Sequence, residues 1–250
     1  MAQPGIALQM YSLREDMHAD FVGTYRKVAT IGYRAVEFAG YGGLDAAAMR
    51  SLLAELGMKA VGAHVGWNLL HNSLESETEF NLAVDNRDIV CPALPQEFRS
   101  DEAGFHRAAA GLNQIGRRCR ELGARFSYHS HAFEFQKFGN RTGMDIILDE
   151  TDSAYVNWEP DIYWIAYANE DPIVWLARAA GRWPLVHIKD MTHGPTPTFA
   201  EIGEGRLDFG HIFAATGQAE QYIVEQDRCA RQPLESVALS FRHLMEWGRT

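Results

Sequence analysis

The chain has 250 residues, of which 46% are hydrophobic, 11% aromatic and 22% charged, and 23 Lys and Arg stand against 33 Asp and Glu for a net charge of −10. That mix excludes a disordered chain, and the acidic balance argues against a general binder of nucleic acid or polyphosphate. No run approaches the roughly 18 apolar residues of a membrane span and the first residues show no secretory pattern, while Cys91, Cys119 and Cys229 are odd in number and far apart, as suits a reducing cytoplasm without disulfides.

The first predicted strand is Ile6–Met10. Ile31-Gly32-Tyr33-Arg34-Ala35-Val36-Glu37-Phe38 then reads as a helix end, a glycine in left-handed backbone, a short link and a strand. The same pattern recurs from Leu56-Gly57 to His64 and from Leu122-Gly123 to His129. Between these two copies lie a strand at Asp88–Pro92 and a helix that Ser100 can cap, with Asp101 and Glu102 in its first turn. Phe105, Ala108, Leu112, Ile115, Cys119 and Leu122 form its buried stripe, which makes Cys119 a core residue and Arg117, Arg118 and Arg120 a solvated face. Strands follow at Tyr155–Trp158, Leu185–Ile188 and Gln221–Glu225, and Pro233 opens a last helix with the stripe Leu234, Val237, Phe241 and Leu244. Eight strands leave about 31 residues per unit, the size of a βα pair. The predicted fold is therefore α/β, a (β/α)8 TIM barrel in one domain over residues 1–250. An open doubly wound sheet is disfavoured, because no Gly-rich dinucleotide turn follows the first strand.

Polar residues collect where these strands finish, the end of such a barrel that carries chemistry. In order they are Gln9, Glu37, His64, nothing ionisable at Cys91-Pro92, then His129, His131 and Glu134, Glu159 and Asp161, His187, Lys189 and Asp190, and Glu225 and Asp227. A single strand-end histidine is most simply a hydrogen-bonded core residue. As a set, several buried carboxylates would repel one another without a cation. Glu134, Asp161, His187 and Glu225 follow one another at intervals of 27, 26 and 38 residues, about one βα unit each, so four successive strands aim one ligand apiece at a common centre. Three carboxylates and one imidazole make a mostly oxygen-rich site for one divalent metal ion, with Mn2+ or Mg2+ favoured and Co2+ or Zn2+ allowed. Coordination positions left open would serve substrate oxygens.

Gly5-Ile6-Ala7-Leu8-Gln9-Met10-Tyr11-Ser12-Leu13-Arg14, Gly32-Tyr33-Arg34-Ala35-Val36-Glu37, Tyr128-His129-Ser130-His131-Ala132-Phe133-Glu134-Phe135, Glu159-Pro160-Asp161-Ile162-Tyr163-Trp164, Val186-His187-Ile188-Lys189-Asp190, Gly203-Glu204-Gly205 and Val224-Glu225-Gln226-Asp227 occur in that order. Together they resemble the sugar phosphate isomerase/epimerase branch of the xylose isomerase-like TIM barrels. The resemblance implies the same four ligands, Glu134, Asp161, His187 and Glu225. It is specific for fold and metal site and weaker for substrate, since the branch also holds inosose dehydratases and enzymes acting on keto-sugars. Ser130 departs from the Asn that this branch often places between the two histidines. The superfamily also contains DNA-repair endonucleases with three zinc ions, but Trp164 stands where those carry a histidine. Their Asp-x-His pair after the seventh strand has no counterpart, since Asp208-Phe209-Gly210-His211 is spaced wrongly. No nucleic-acid partner and no membrane partner is expected; a homo-oligomer is allowed.

The expected reaction is isomerisation or epimerisation beside a carbonyl of a sugar or keto-sugar, through an enediolate, with Glu134 and Glu225 passing the proton from two sides. Glu37, His64, His131, Trp164, Lys189 and Arg206 are expected to contact substrate. Lys189, on the same side of its strand as His187, would steady oxyanion charge or else pair with an acid. Trp67, Tyr163 and Trp164 could wall the sugar ring, although packing under the loops suits Tyr163 better. Gly203-Glu204-Gly205-Arg206 reads as a flexible loop over the mouth. Gly-rich backbone can cradle an anion, but Glu201 and Glu204 beside it favour an unphosphorylated sugar. The alternative within enzymes is a metal-dependent lyase or dehydratase on a keto-sugar or keto-inositol, with His129 or His131 as the acid. A non-catalytic sugar-binding protein comes third.

Overall fold

The computed structural model describes residues 3–249. Its frame is one sheet of eight strands, β1 (Gly5–Gln9), β2 (Ala35–Phe38), β3 (Lys59–His64), β4 (Asp88–Cys91), β5 (Arg125–His129), β6 (Asn157–Glu159), β7 (Leu185–Ile188) and β8 (Gln221–Val224). All eight predicted strands are present, Leu185–Ile188 with the expected ends and the others within two residues of them. They pair in parallel in the order β6-β5-β4-β3-β2-β1-β8-β7. The gap between the outermost two closes just past β6, where Asp161 forms a parallel bridge with His187 and the Pro160 carbonyl accepts the His187 N–H at 2.9 Å. The result is the predicted TIM barrel.

Helices wrap the strands. The glycines that end the first three repeats turn the chain from helix to strand with positive φ, 128° at Gly32, 61° at Gly57 and 89° at Gly123, where a side chain would be strained. The predicted cap of the long helix Glu102–Glu121 is corrected by one residue. Asp101 caps it, its carboxylate accepting from Gly104 N at 2.7 Å, whereas the Ser100 hydroxyl donates to the Gln96 carbonyl. Cys119 is buried on that helix. Arg118 pairs with Glu75 and Glu121 in solvent, and Arg117 and Arg120 lie over the Tyr155 ring. Among the described residues no helix is long and apolar enough to cross a membrane.

Two cores result. The larger fills the space between strands and helices, while Ala7, Ala35, Val61, Val90, Leu185 and Ile223, from six different strands, pack against each other inside the barrel. Side chains two apart on a strand share a face. The residues two beyond those interior ones are therefore the strand-end groups Gln9, Glu37, Pro92, His187 and Glu225. Strand β3 is the exception, with Val61 inside and His64 three residues on. The pairing of β2 with β3 slips there, Val36 facing Ala60 but Glu37 facing Gly62, and the extra residue resets the alternation so that His64 also turns inward.

Candidate metal centre and cavity

Above the apolar floor the strand ends bring together a dense set of acids and imidazoles. Among the described residues two groupings could hold a metal ion, His129, Asp161, His187 and Glu225 in one and His64, His129, Glu159 and His187 in the other, each with its donor atoms within 4.8 Å of one another. Glu134 belongs to neither. After β5 the chain turns into a 3-10 helix at Phe133–Phe135, which carries the Glu134 carboxylate away from the other donors. There it is fully buried and accepts from the Tyr128 hydroxyl and, at 2.9 Å, from the His131 backbone N–H. The donors that lie together with Asp161, His187 and Glu225 thus make two carboxylates and two imidazoles. His129 is the fourth member of that grouping.

Asp161 uses Oδ1 to cap the helix Ile162–Tyr167 and turns Oδ2 into the centre, 3.7 Å from His129 Nε2 and 2.8 Å from Lys189 Nζ. Glu225 Oε2 lies 2.9 Å from His187 Nδ1 and 2.6 Å from the same Lys189 Nζ. Lys189 also reaches Asp227 at 2.7 Å. Its ammonium is wholly buried, so of the two roles expected for it the structure displays the ion pair.

Deeper in the barrel, Glu159 Oε2 is 3.0 Å from His64 Nε2, 3.0 Å from His129 Nδ1 and 3.2 Å from His187 Nε2. Glu37 Oε2 is 2.7 Å from Gln9 Nε2, 2.8 Å from His187 Nε2 and 3.2 Å from His64 Nε2. Glu37, expected to bind substrate, is therefore corrected to a fully buried member of this lower network. Its other oxygen lies where a Cβ on Gly62 would come within 2.3 Å, so the glycine makes the space it occupies.

Burial resists every charge here, and neighbours decide which survive. Burial works against charge on Glu159 and Glu225, yet the cationic groups around them hold both well below the usual carboxylate range. His187 is held well above the usual imidazole value by Glu159 and Glu37 despite its burial. Burial and the charge of His187 push His129 well down, leaving it neutral and able to offer a lone pair. Burial raises Asp161 to about 6 against the pull of Lys189 and His187, and raises Glu134 to about 7.

The centre opens on a cavity of 390 Å3 lined by Tyr11, Ala39, His64, Pro92, Ala93, His129, His131, Glu225 and Asp227. The strand without an ionisable end thus contributes apolar wall. A second cavity, of 490 Å3, meets the first at Asp227 and has Arg14, Arg228 and Arg231 on its lining. His131, predicted to face substrate, is in the wall, and its Nδ1 has no partner among the described residues. Trp164 stands beside it, ring centroids 5.4 Å apart, next to Lys189.

Other expectations are corrected. Trp67 packs on Phe98 and His71 away from the cavity, whereas Tyr163 is packed as expected, stacked on Phe199 at 4.3 Å. The Gly203–Arg206 turn does form an anion cradle, but the protein fills it itself. The Asp190 carboxylate accepts from Gly203 N at 3.0 Å, Gly205 N at 2.9 Å and Leu207 N at 3.1 Å, which fastens the loop. Arg206 lies against the Met191 sulfur instead of the substrate cavity. Asp208 and His211 form an exposed pair at a helix start, far from completing a zinc set.

Residues 25–225 match the family described as the xylose isomerase-like TIM barrel. An inosose dehydratase of Clostridium tetani is 26% identical over 161 residues, 55% of this chain and 53% of the relative, so the chain spans about half the length of that curated protein. Solved structures share the fold across nearly the whole chain. A sugar phosphate isomerase/epimerase from Parabacteroides distasonis superposes with a TM-score of 0.83 at 21% identity, covering 97% of this chain and 98% of that one. A probable 3-DHS dehydratase from Bacillus anthracis does so with a TM-score of 0.76 at 10% identity, covering 96% and 98%.

Proposed function

Because the chain belongs to the xylose isomerase-like TIM barrel family, we propose that its strand ends form a metal-dependent sugar isomerase or epimerase that moves a proton beside the carbonyl of a sugar or keto-sugar. The observation that carries this is the convergence of His129, Asp161, His187 and Glu225 beside the 390 Å3 cavity, whose wall includes His129 and Glu225. That donor set fits a divalent ion, and two imidazoles with two carboxylates favour Mn2+, Co2+ or Zn2+ over Mg2+. A cation held there supplies the Lewis acidity that polarises a carbonyl and acidifies the adjoining C–H.

Protein groups do the rest. Glu225 lines the cavity in its ionised form, and a carboxylate has a second oxygen free to accept a proton. Glu134, enclosed by Tyr128 and His131, does not reach the cavity, so the second proton-carrying group is Asp227, which lines it and whose pKa burial raises. His131, His64 and Tyr11 offer hydrogen bonds to sugar hydroxyls. Lys189 holds Asp161, Glu225 and Asp227 in place. With Asp190 seated in the glycine cradle, that cradle does not take a phosphate, and an unphosphorylated ring is the substrate favoured.

The adjoining 490 Å3 cavity supports a second reading, a dehydratase or lyase in which Asp227 protonates a leaving group lodged there. Mass spectrometry of products from a keto-sugar panel in D2O, with Mn2+-loaded protein, separates the two. Deuterium gain without loss of mass from the carbon skeleton is expected for the isomerase, and loss of water or an aglycone for the lyase. No exchange and no turnover at saturating metal on the whole panel would overturn both and leave a sugar-binding protein.

A further inference from the structure

His129 and His187 belong to both groupings, and each presents a different nitrogen to each. His129 turns Nε2 toward Asp161 above and Nδ1 toward Glu159 below. His187 turns Nδ1 toward Glu225 above and Nε2 toward Glu37 and Glu159 below. An imidazole that donates its single N–H to a carboxylate has its other nitrogen fixed as the lone-pair donor. Resting on the metal site proposed above, we infer that Glu159, assisted by Glu37, is the positioning residue of the centre. It holds His129 as the Nδ1–H form and His187 as the Nε2–H form, so that only the upper grouping binds an ion and the chain takes one ion, not two.

The lower grouping has the geometry of a hydrogen-bonded network. A single oxygen, Glu159 Oε2, already sits between three imidazole nitrogens at 3.0, 3.0 and 3.2 Å, where an ion would need donors about 2.0–2.2 Å from its own centre. Every lower contact of these rings is to a carboxylate oxygen at hydrogen-bonding distance, and Gln9 supplies a further donor to Glu37. A second ion would have to displace that oxygen and strip both bridging imidazoles of their protons. Above, by contrast, His129 Nε2 stands 3.7 Å from Asp161 Oδ2, beyond hydrogen-bonding distance, and the 2.9 Å contact of His187 Nδ1 with Glu225 Oε2 lies beside the cavity that His129 and Glu225 line, where an ion can enter between them.

Long-range proton–nitrogen spectra of the protein labelled with 15N-histidine report which ring nitrogen carries hydrogen. They are to be run beside Co2+ titration by calorimetry and visible absorption. The native chain is expected to bind one Co2+ and, loaded with diamagnetic Zn2+, to show His129 protonated at Nδ1 and His187 at Nε2. Glu159→Gln should keep the fold by circular dichroism, lose the fixed His129 form and bind Co2+ about 10–100-fold more weakly. Glu37→Gln, which leaves the His129 contact intact, should disturb His187 alone and serves where the first variant does not fold. Two ions per native chain, or one ion bound by both variants with native affinity and native ring forms, would overturn the inference. A native chain that binds no divalent ion would instead remove the metal centre, and this inference with it.

Discussion

Glu134 separates spacing from geometry, because the interval between strand ends makes it a ligand whereas the fold makes it a buried acid. Burial lifts its pKa from 4.5 to about 7, against the hydrogen bonds from Tyr128 and His131. The native state therefore holds this proton more tightly than the unfolded chain does. Its contribution to stability is fully present below the unfolded value of 4.5 and is lost as pH rises through about 7. A carboxyl displaced across that window is worth about 3 kcal/mol, a large share of a typical domain stability of about 5–15 kcal/mol. Glu134→Gln removes the ionisation and keeps the contacts, since the amide oxygen can accept from the His131 N–H while its NH2 donates to the Tyr128 hydroxyl. Urea unfolding of both proteins in chelator, stepped from about pH 5 to about pH 8, cancels the groups they share. The difference should grow in the variant's favour by about 3 kcal/mol and flatten above about pH 8, with metal affinity at the upper pH unchanged. A difference that stays flat with pH refutes the buried acid. Loss of metal binding in the variant returns Glu134 to the ligand set.

Two further outcomes follow from the packing. Gly62→Ala places a methyl within 2.3 Å of Glu37 Oε1; an overpacking cost of about 1–3 kcal/mol should lower the melting temperature by about 2–4 °C per kcal/mol, and calorimetric Co2+ titration should show weaker binding through the displaced His187. Ser130→Ala removes the acceptor of the Trp158 indole N–H, bonded at 2.9 Å inside the protein, and should cost about 1–3 kcal/mol in urea unfolding while leaving turnover unchanged, because Ser130 faces away from the cavity wall.

The barrel was legible because its signals are local and repeated. Glycine after a helix, a short link and an apolar run recur at Gly32, Gly57 and Gly123, and each demands the backbone that the fold displays. The site was legible only where strand alternation persists. His187 and Glu225 lie on or directly after regular strand, and Asp161 is held in extended backbone by its bridge to His187. Glu134 lies four residues beyond Ser130, past a turn that spacing between strands cannot sense. Ser100 and Asp101 are both good caps, and composition does not choose between neighbours. Arg206 was misplaced because its loop is shaped by Asp190, an acid sixteen residues earlier whose carboxylate stands in for the anion that the glycines suggest.

The clue to His129 and Glu159 lies in doublets. On four adjoining strands of the closed barrel, inward residues follow one another at steps of two: Ser127, His129 and His131; Asn157, Glu159 and Asp161; Leu185, His187 and Lys189; Ile223, Glu225 and Asp227. Each strand thus supplies a group at the floor, one above it and one a step higher still. Read this way, Glu159-Pro160-Asp161 delivers one carboxylate to the lower network and one to the metal grouping, while Pro160 between them turns outward and gives its carbonyl to His187 to close the barrel. His129 pairs in register with Glu159 on the neighbouring strand, so the ring whose Nδ1 that carboxylate holds is the one whose Nε2 reaches Asp161, one step higher. The same step of two that makes a strand amphipathic here sorts acids by depth. On the proposed reading the deep ones orient imidazoles, and the shallower ones are left to meet a cation and a substrate.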